Sequence, residues 1–337
     1  MATDPKQLSL EASPTKAIVN KFKQRREIGI FGALLVMLIT IAVTRPDIFF
    51  NWGSIAGIFS RLFRQISSSF IIAVGMTYLI ISGEFDLSVG SMYAIGGIVF
   101  ALLASDIGLP ISFALLLTLG IGAFVGISNG IIVTKIGVPS LITTIGMLSI
   151  LRGVALYLTP GGSVNAPDLG IYQSLLAFEM EVVGVELSAQ MIWALVIFVI
   201  SWVVLQKTQY GNHIYATGDD AEAARLNGIP IDRVKIRNFV LTSTLAALAG
   251  ILSVAFFGSA FSSTGSGIEL TIIAAVIIGG TNLFGGEGSL IGTFLGTLVI
   301  GLIPTLLVIN GFAVEVQEFL TGAIIISAVV VDTLIRS

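Results

Sequence analysis

Few residues in this chain have side chains able to do chemistry, and they gather in short polar stretches between apolar runs. Ser82–Ser91 (SGEFDLSVGS) sets Glu84 and Asp86 beside Ser88 where one apolar run gives way to the next. Ionisable groups at membrane depth are expensive, so they face a cavity or a partner. Two roles are open here. Asp86 caps a helix starting near Ser88, or Glu84, Asp86 and Ser88 line a path for solute. Arg152 sits deep in an apolar run and needs a partner, either as a structural ion-pair or hydrogen-bond hub or as a pathway residue. Asn129 and Asn282 add amides to the candidate lining. These are groups for weak, neutral contact with a passing solute rather than for bond-making.

The longest polar stretch is Gln206–Arg237, QKTQYGNHIYATGDDAEAARLNGIPIDRVKIR, which holds the only histidine, His213. Asp219 or Asp220 can cap a short helix over Ala221–Leu226, and Gly228, ahead of Pro230, is placed to end it with a positive φ. Glu222 and Arg225 flank the small pair Ala223 and Ala224. This is a surface helix offered to the aqueous phase, to which a soluble partner docks.

The sequence holds no catalytic constellation. There is no Gly-x-x-x-x-Gly-Lys-Ser/Thr phosphate loop and no His-Glu-x-x-His. Gly161-Gly162-Ser163 has no nucleophile-elbow context. No cysteine is present, which excludes disulfides, thiolate metal sites and a Cys nucleophile. His213 has no second His or Cys with which to share a metal, so neither metal nor cofactor is expected. Basic residues are not interleaved with aromatics as a nucleic-acid surface requires.

The elements that must position these residues are membrane spans. The 337 residues are 55% hydrophobic and 11% charged, with a mean hydropathy of +0.99. Soluble domains carry roughly a quarter of their residues as charge. Apolar runs long enough to cross ~30 Å of hydrocarbon recur throughout. The expected spans are 28–44, 66–82, 89–104, 111–131, 139–158, 191–205, 238–257, a short 268–280, 290–308 and 319–331, about ten in all. A polar-flecked interfacial piece with Arg45, Asp47, Arg61 and Arg64 precedes the second. Residues 1–27 form a cytoplasmic tail without a signal-peptide cleavage pattern, and 28–337 form one transmembrane domain. All basic residues but Arg45, Arg61, Arg64 and Arg152 fall in the tail, at Lys135, in 206–237 or at Arg336. The positive-inside rule makes those segments, and both termini, cytoplasmic. Thr159–Gln190 is then the main external connection, with Asp168, Glu179, Glu181 and Glu186. Gly122, Gly126 and Gly130, and Gly288, Gly292 and Gly296, form small-residue stripes for close helix packing within the bundle or between subunits.

Gly83–Ser91, Ser128–Gly153, Tyr215–Val234 with its Glu-Ala-Ala-x-x-x-Gly core, and Gly280–Ile303, in that order, resemble permease subunits of bacterial ABC importers, most of all the ribose/xylose/arabinose/galactoside branch. The likeness runs from about Ile28 to the end. It implies an all-α fold of about ten helices related to the vitamin B12 importer, in the bacterial inner membrane. It also implies a second permease copy or homologous permease, cytoplasmic ABC ATPases, and a soluble extracytoplasmic binding protein that delivers a monosaccharide. Asp219, Glu222, Ala223, Ala224, Arg225 and Gly228 would then lie on a coupling helix that enters a cleft of the ATPase. The Ile-x-Leu-Pro that often follows this motif in other ABC importers is absent, and Glu84 stands where many relatives carry a small or apolar residue. The alternatives are a stand-alone secondary transporter, which usually carries intramembrane acids for ion coupling, and an intramembrane enzyme, for which no nucleophile–base pair is found.

Overall fold

A computed structural model describes residues 26–160, 162–313, 315–316, 319–320, 322–323, 326 and 330. The chain is mostly helical. Helix α1 spans Arg26–Thr44, and a short α2, Pro46–Phe49, leads to α3, Trp52–Ile81. Then come α4 (Val89–Ser105), α5 (Ile111–Ile131, prolonged by a π-turn over Ile132–Ile136) and α6 (Ser140–Leu158). A connection follows with β1 (Ser163–Asn165), α7 (Gln173–Leu176), β2 (Glu179–Val182) and β3 (Val185–Ser188). Next are α8 (Ala189–Lys207), α9 (Gln209–Asp219), α10 (Ala221–Leu226) and α11 (Ile231–Phe257). β4 (Ser259–Phe261), α12 (Ile268–Ile278) and α13 (Leu290–Ile309) complete the described elements.

Six of these helices, α3, α5, α6, α8, α11 and α13, are long and apolar enough to cross a membrane, and α1, α4 and α12 are shorter apolar helices. The expected tenth span, 319–331, the bulk of the tail and Arg336 lie outside the described residues or only partly within them, so the described residues do not reach a count of ten.

Helices α11 and α3 form the centre. The most apolar windows of these two are 72% and 83% buried, against 22% for α6, 28% for α5 with its π-turn and 33% for α8, whose outer faces are rows of exposed Leu, Ile, Val and Phe. That apolar outer surface suits lipid, in which the hydrophobic effect gives helices no reason to turn their apolar faces inward. The small-residue stripes do the internal packing. A Cβ added at Gly126 would lie 2.5 Å from Val240 Cα on α11, and one at Gly292 would lie 1.9 Å from the Gly279 carbonyl after α12.

Three expectations are corrected. The expected interfacial piece is split: Arg45 and Asp47 sit at the start of the separate short α2, but α3 runs unbroken from Trp52, started by Asn51, whose side chain accepts from Ser54 N at 3.1 Å. Arg61 and Arg64 therefore belong to a spanning helix, and the head of Arg64 pairs with Glu179 and Glu186. The 206–237 stretch is less a loop than two helices plus the first two turns of α11, which starts at Ile231 behind Pro230. The fold is also not purely α. Among the described residues four short strands pair as β1–β4 and β2–β3, all in connections at one end of the bundle.

Candidate functional site

The candidate site lies at the bundle end where α3, α5 and α8 finish and α4 and α11 begin. Thr208 caps α9, its side chain accepting from Gly211 N at 3.4 Å. Asp220, of the two aspartates considered, caps α10: its Oδ1 accepts from Glu222 N at 3.0 Å and Ala223 N at 2.9 Å. The far end of α10 closes with Ile229 N donating to Ala224 O (3.1 Å) and Gly228 N to Arg225 O (3.0 Å), a Schellman pattern that needs a left-handed residue. Gly228 supplies it at φ +81°. Both ends of this six-residue helix are thus fixed by local chemistry that was legible in the sequence.

Its base is fixed by contacts that were not. Gly286 N donates to Ile81 O at 2.9 Å, and Gly218, at the end of α9, is wedged into the same corner. A Cβ on Gly218 would lie 1.8 Å from Ile81 O and 2.6 Å from Gly286 N. Tyr215 OH donates to Gly288 O at 2.9 Å, and Tyr210 OH to Asn238 Oδ1 at 2.8 Å. Asn238 in turn donates to Tyr78 O (3.1 Å) and Ser82 Oγ (3.0 Å). Desolvation pushes the Tyr210 phenol up to about 12, with Arg237 nearby pulling the other way, so it remains a hydrogen-bond donor at any physiological pH. Asp232, in the first turn of α11, takes Lys135 at 2.6 Å and Arg225 at 3.5 Å. Lys235 and Glu84 pair at 2.5 Å with both side chains mostly buried.

On α10 itself Glu222, Ala223, Arg225 and Leu226 are exposed, Leu226 by 84%, while Ala224 is buried. Ala224 therefore seats the helix on its own chain, and the small face offered outward reduces to Ala223. A tryptophan at 224 would lift α10 off rather than fill a partner's groove.

The candidate path residues do not form one lining. Asp86, Ser88 and Asn129 do meet, fully buried. In the turn between α3 and α4, Asp86 Oδ1 accepts from Ser88 N at 2.8 Å and from Ser88 Oγ, and Oδ2 accepts from Asn129 Nδ2 (3.3 Å) and Ser243 Oγ (3.4 Å). The bond to Ser88 N closes a turn just ahead of α4, whose N-cap position is Ser88 and has no side-chain cap of its own, and the other bonds tie that turn to α5 and α11. Burial pushes its carboxyl above the ordinary carboxylate range, and the bonds from Ser88, Asn129 and Ser243 pull it back. Glu84 belongs to the Lys235 pair. Asn282 shapes the 281–289 turn, its Oδ1 accepting from Phe284 N at 3.1 Å. Arg152 is at the opposite end of the bundle, donating from Nη1 to the carbonyls of Ser262 and of Thr264 (3.1 Å); it is a hydrogen-bond hub.

Gly218, Asp232, Lys235 and Leu226 join the site only through the fold. Leu226 alone carried a readable signal, an apolar residue ending a helix otherwise built for water.

A family model described as the permease component of branched-chain amino acid transport systems matches residues 58–329. The chain is 36% identical to the ribose import permease RbsC of Escherichia coli (strain K12), over 89% of this chain and 91% of that protein. It is 34% identical to the ribose import permease RbsC of Bacillus subtilis (strain 168), over 91% and 92%. It is 31% identical to the autoinducer 2 import system permease LsrC of Yersinia enterocolitica, over 82% and 76%. No solved structure matches it.

Proposed function

We propose that this chain, which belongs to the family of branched-chain amino acid transport system permease components, is the membrane subunit of an ATP-driven monosaccharide importer. A permease component moves solute and is not itself an enzyme. In this reading a separate cytoplasmic ATPase hydrolyses ATP, and a soluble binding protein delivers the sugar. The family description names amino acids, but ribose import permeases match along most of the chain, and the substrate class follows them.

The observation that carries the reading is the α9–α10 end. A helix of six residues is marginal in water without support. Here it is capped at both ends, locked at its base, and displays Leu226 among charges. An exposed apolar side chain on a rigid mount suits insertion into a protein groove. Asp219, Glu222, Ala223, Arg225 and Gly228 serve that contact with Leu226, and Ala224 holds the helix in place. This end is cytoplasmic, because Lys135, Lys207, Arg225, Arg233, Lys235 and Arg237 gather at it while Asp106, Asp168, Glu179, Glu181 and Glu186 lie in segments of the other. Both termini are then cytoplasmic, and the six long and three shorter apolar helices, together with the span expected from the sequence over 319–331, would make the ten-helix arrangement of the vitamin B12 importer kind. Two such permeases form the core, and the binding protein docks over 159–190.

The absence of cysteine makes the test direct. Ala223→Cys permease in native membranes should form a thiol-crosslinked adduct with the ATPase subunit, with a yield that changes on adding ATP. Uptake of radiolabelled ribose should stop with vanadate. Uptake that survives vanadate, collapses with a protonophore and gives no adduct would establish a secondary transporter instead.

A further inference from the structure

A cavity of about 560 Å³ lies between α3, α4, α12, α13 and the loop 262–267, whose carbonyls Arg152 holds. Its volume is in the ~300–1,000 Å³ range of small-molecule sites. Its mouth is at the bundle end opposite α10, where Gln65 and Ser266 are exposed, and it closes inward on Ala73, Ile272 and Ala275, all buried. The polar groups of its wall are Gln65, Ser69, Thr264, Ser266, Thr271 and Thr297; among the described residues no acidic or basic side chain lines it, and Arg61 and Arg64 line an adjoining pocket that shares Gln65, Ser69 and Tyr93. Tyr93 is also in the wall; its hydroxyl is spent on Ser253 Oγ at 2.8 Å, which leaves the ring as an apolar surface. Glu269 is not part of the lining: its Oε2 lies over Gly90, where an added Cβ would be 2.3 Å away.

We infer that this cavity is a weak binding chamber for a neutral polyhydroxylated solute of monosaccharide size, with its outer wall positioned by Arg152. The inference rests on the reading of the chain as a sugar permease and locates the chamber within it. Neutral hydroxyls and an amide can exchange hydrogen bonds with the hydroxyls of a sugar, and the Tyr93 ring can take an apolar sugar face. A zwitterionic amino acid would bring a carboxylate and an ammonium into a wall that offers neither a counter-charge, a large desolvation cost with no return. Neutral contacts also keep binding weak, as a conduit requires. Arg152 acts through the loop: reaching from α6, it holds the carbonyls of Ser262 and Thr264, next to the Thr264–Gly267 segment that forms the mouth. It is a positioning residue, removed from the solute itself.

Thr271→Cys and, separately, Ser69→Cys in the complete transporter, reconstituted in proteoliposomes, would be labelled with a small hydrophilic methanethiosulfonate. Ser105→Cys, exposed at the last residue of α4 at the same end and outside 159–190, is the control. Millimolar D-ribose should slow labelling at 271 and 69 but not at 105, and L-leucine should slow none of them. Adding Arg152→Met should raise the ribose concentration for half-protection by roughly five- to tenfold, the scale of a hydrogen-bond loss, while leaving labelling at 105 unchanged. Normal sugar uptake without protection at either cavity position would overturn the chamber and leave the permease reading standing. Protection by leucine but not ribose would overturn its chemistry. A complex that imports no sugar under any condition would overturn the permease reading and the chamber with it.

Discussion

The two ends of the bundle are tied down in different ways. At the α9–α10 end, backbone meets backbone: Gly218, Ile81 and Gly286 leave no room for a single methyl group, and Asn238 and Tyr215 bond to main-chain carbonyls around them. At the opposite end the β1–β4 and β2–β3 pairs and the close approach of Gly265 to Gly90 hold the backbone, and long side chains tie the connections to the helices. Arg64 reaches Glu186 at 2.7 Å and Glu179 at 3.2 Å, Trp52 Nε1 donates to Val183 O at 3.1 Å, and Arg152 holds the 262–264 carbonyls. Close backbone packing is stiff and passes displacement on, because interiors at this density deform little. Long side chains, partly in water, hold a segment while letting it move. Under the proposed function, this stiffness suits the first end to passing on force, and the side-chain ties suit the second to docking.

The largest effect should come from removing the wedge. Gly218→Val forces a Cβ against Ile81 O, and overpacking of this kind costs ~1–3 kcal/mol or more. We expect a lower melting temperature of the solubilised permease, loss of ATPase copurification and near-complete loss of uptake. Gly146→Ala, whose Cβ would meet nothing within 4 Å, should change none of these. Wild-type uptake by the Gly218→Val protein would mean that this corner is not stiff.

Leu226→Ser tests the display rather than the mount. The side chain is 84% exposed and contributes little to the fold. Melting temperature should stay unchanged while ATPase retention and uptake fall by an order of magnitude or so, the worth of one buried leucine at an interface (~1.5–3 kcal/mol). Unchanged retention would place the partner's contact elsewhere on this end.

Gly228→Val is expected to do less. There is open space for its Cβ, so only the left-handed backbone is penalised, by about 1–2 kcal/mol. Membrane insertion and expression should be normal, with ATPase copurification and uptake reduced, and Gly228→Asn, which tolerates that conformation, should recover most of both. Equal loss in the two variants would point to a contact at this position instead of a turn.

The smallest effect belongs to the other end. Glu186→Gln removes a half-exposed ion pair with Arg64 worth ~0–1 kcal/mol. Uptake at saturating binding protein should hold, while hydrogen exchange over 179–188 quickens and binding-protein docking slows at low salt. Exchange in 179–188 as slow as in the wild type would show the hairpin to be as rigid as the α10 mount.

Most of the bundle was readable in order. The span 111–131 coincides with α5, and 89–104, 139–158 and 290–308 differ from their helices by a residue or two. So did the caps of α10 and the positive φ of Gly228, because an Asp side chain, a terminal carbonyl and a glycine within a few residues complete that chemistry by themselves. The misreading of 206–237 has a physical cause. Helix α9 is too polar to signal burial, and α11 carries Asp232, Arg233, Lys235 and Arg237 in its first turns, so hydropathy ended the helix where the backbone does not.

Sequence alone determined that the chain is a helical membrane protein, the order of its helices, and which short helix it presents to water. Hydropathy, capping and turn preference are local, and each is set within a few neighbouring residues. Only the tertiary structure decided that Asp86 ties a turn to α5 and α11, that Gly218 is a wedge, that Ala224 faces inward, and that a neutral cavity opens beside Tyr93. Each of those depends on residues tens to more than two hundred positions apart being brought within a bond's length, and no local preference encodes which of them will meet.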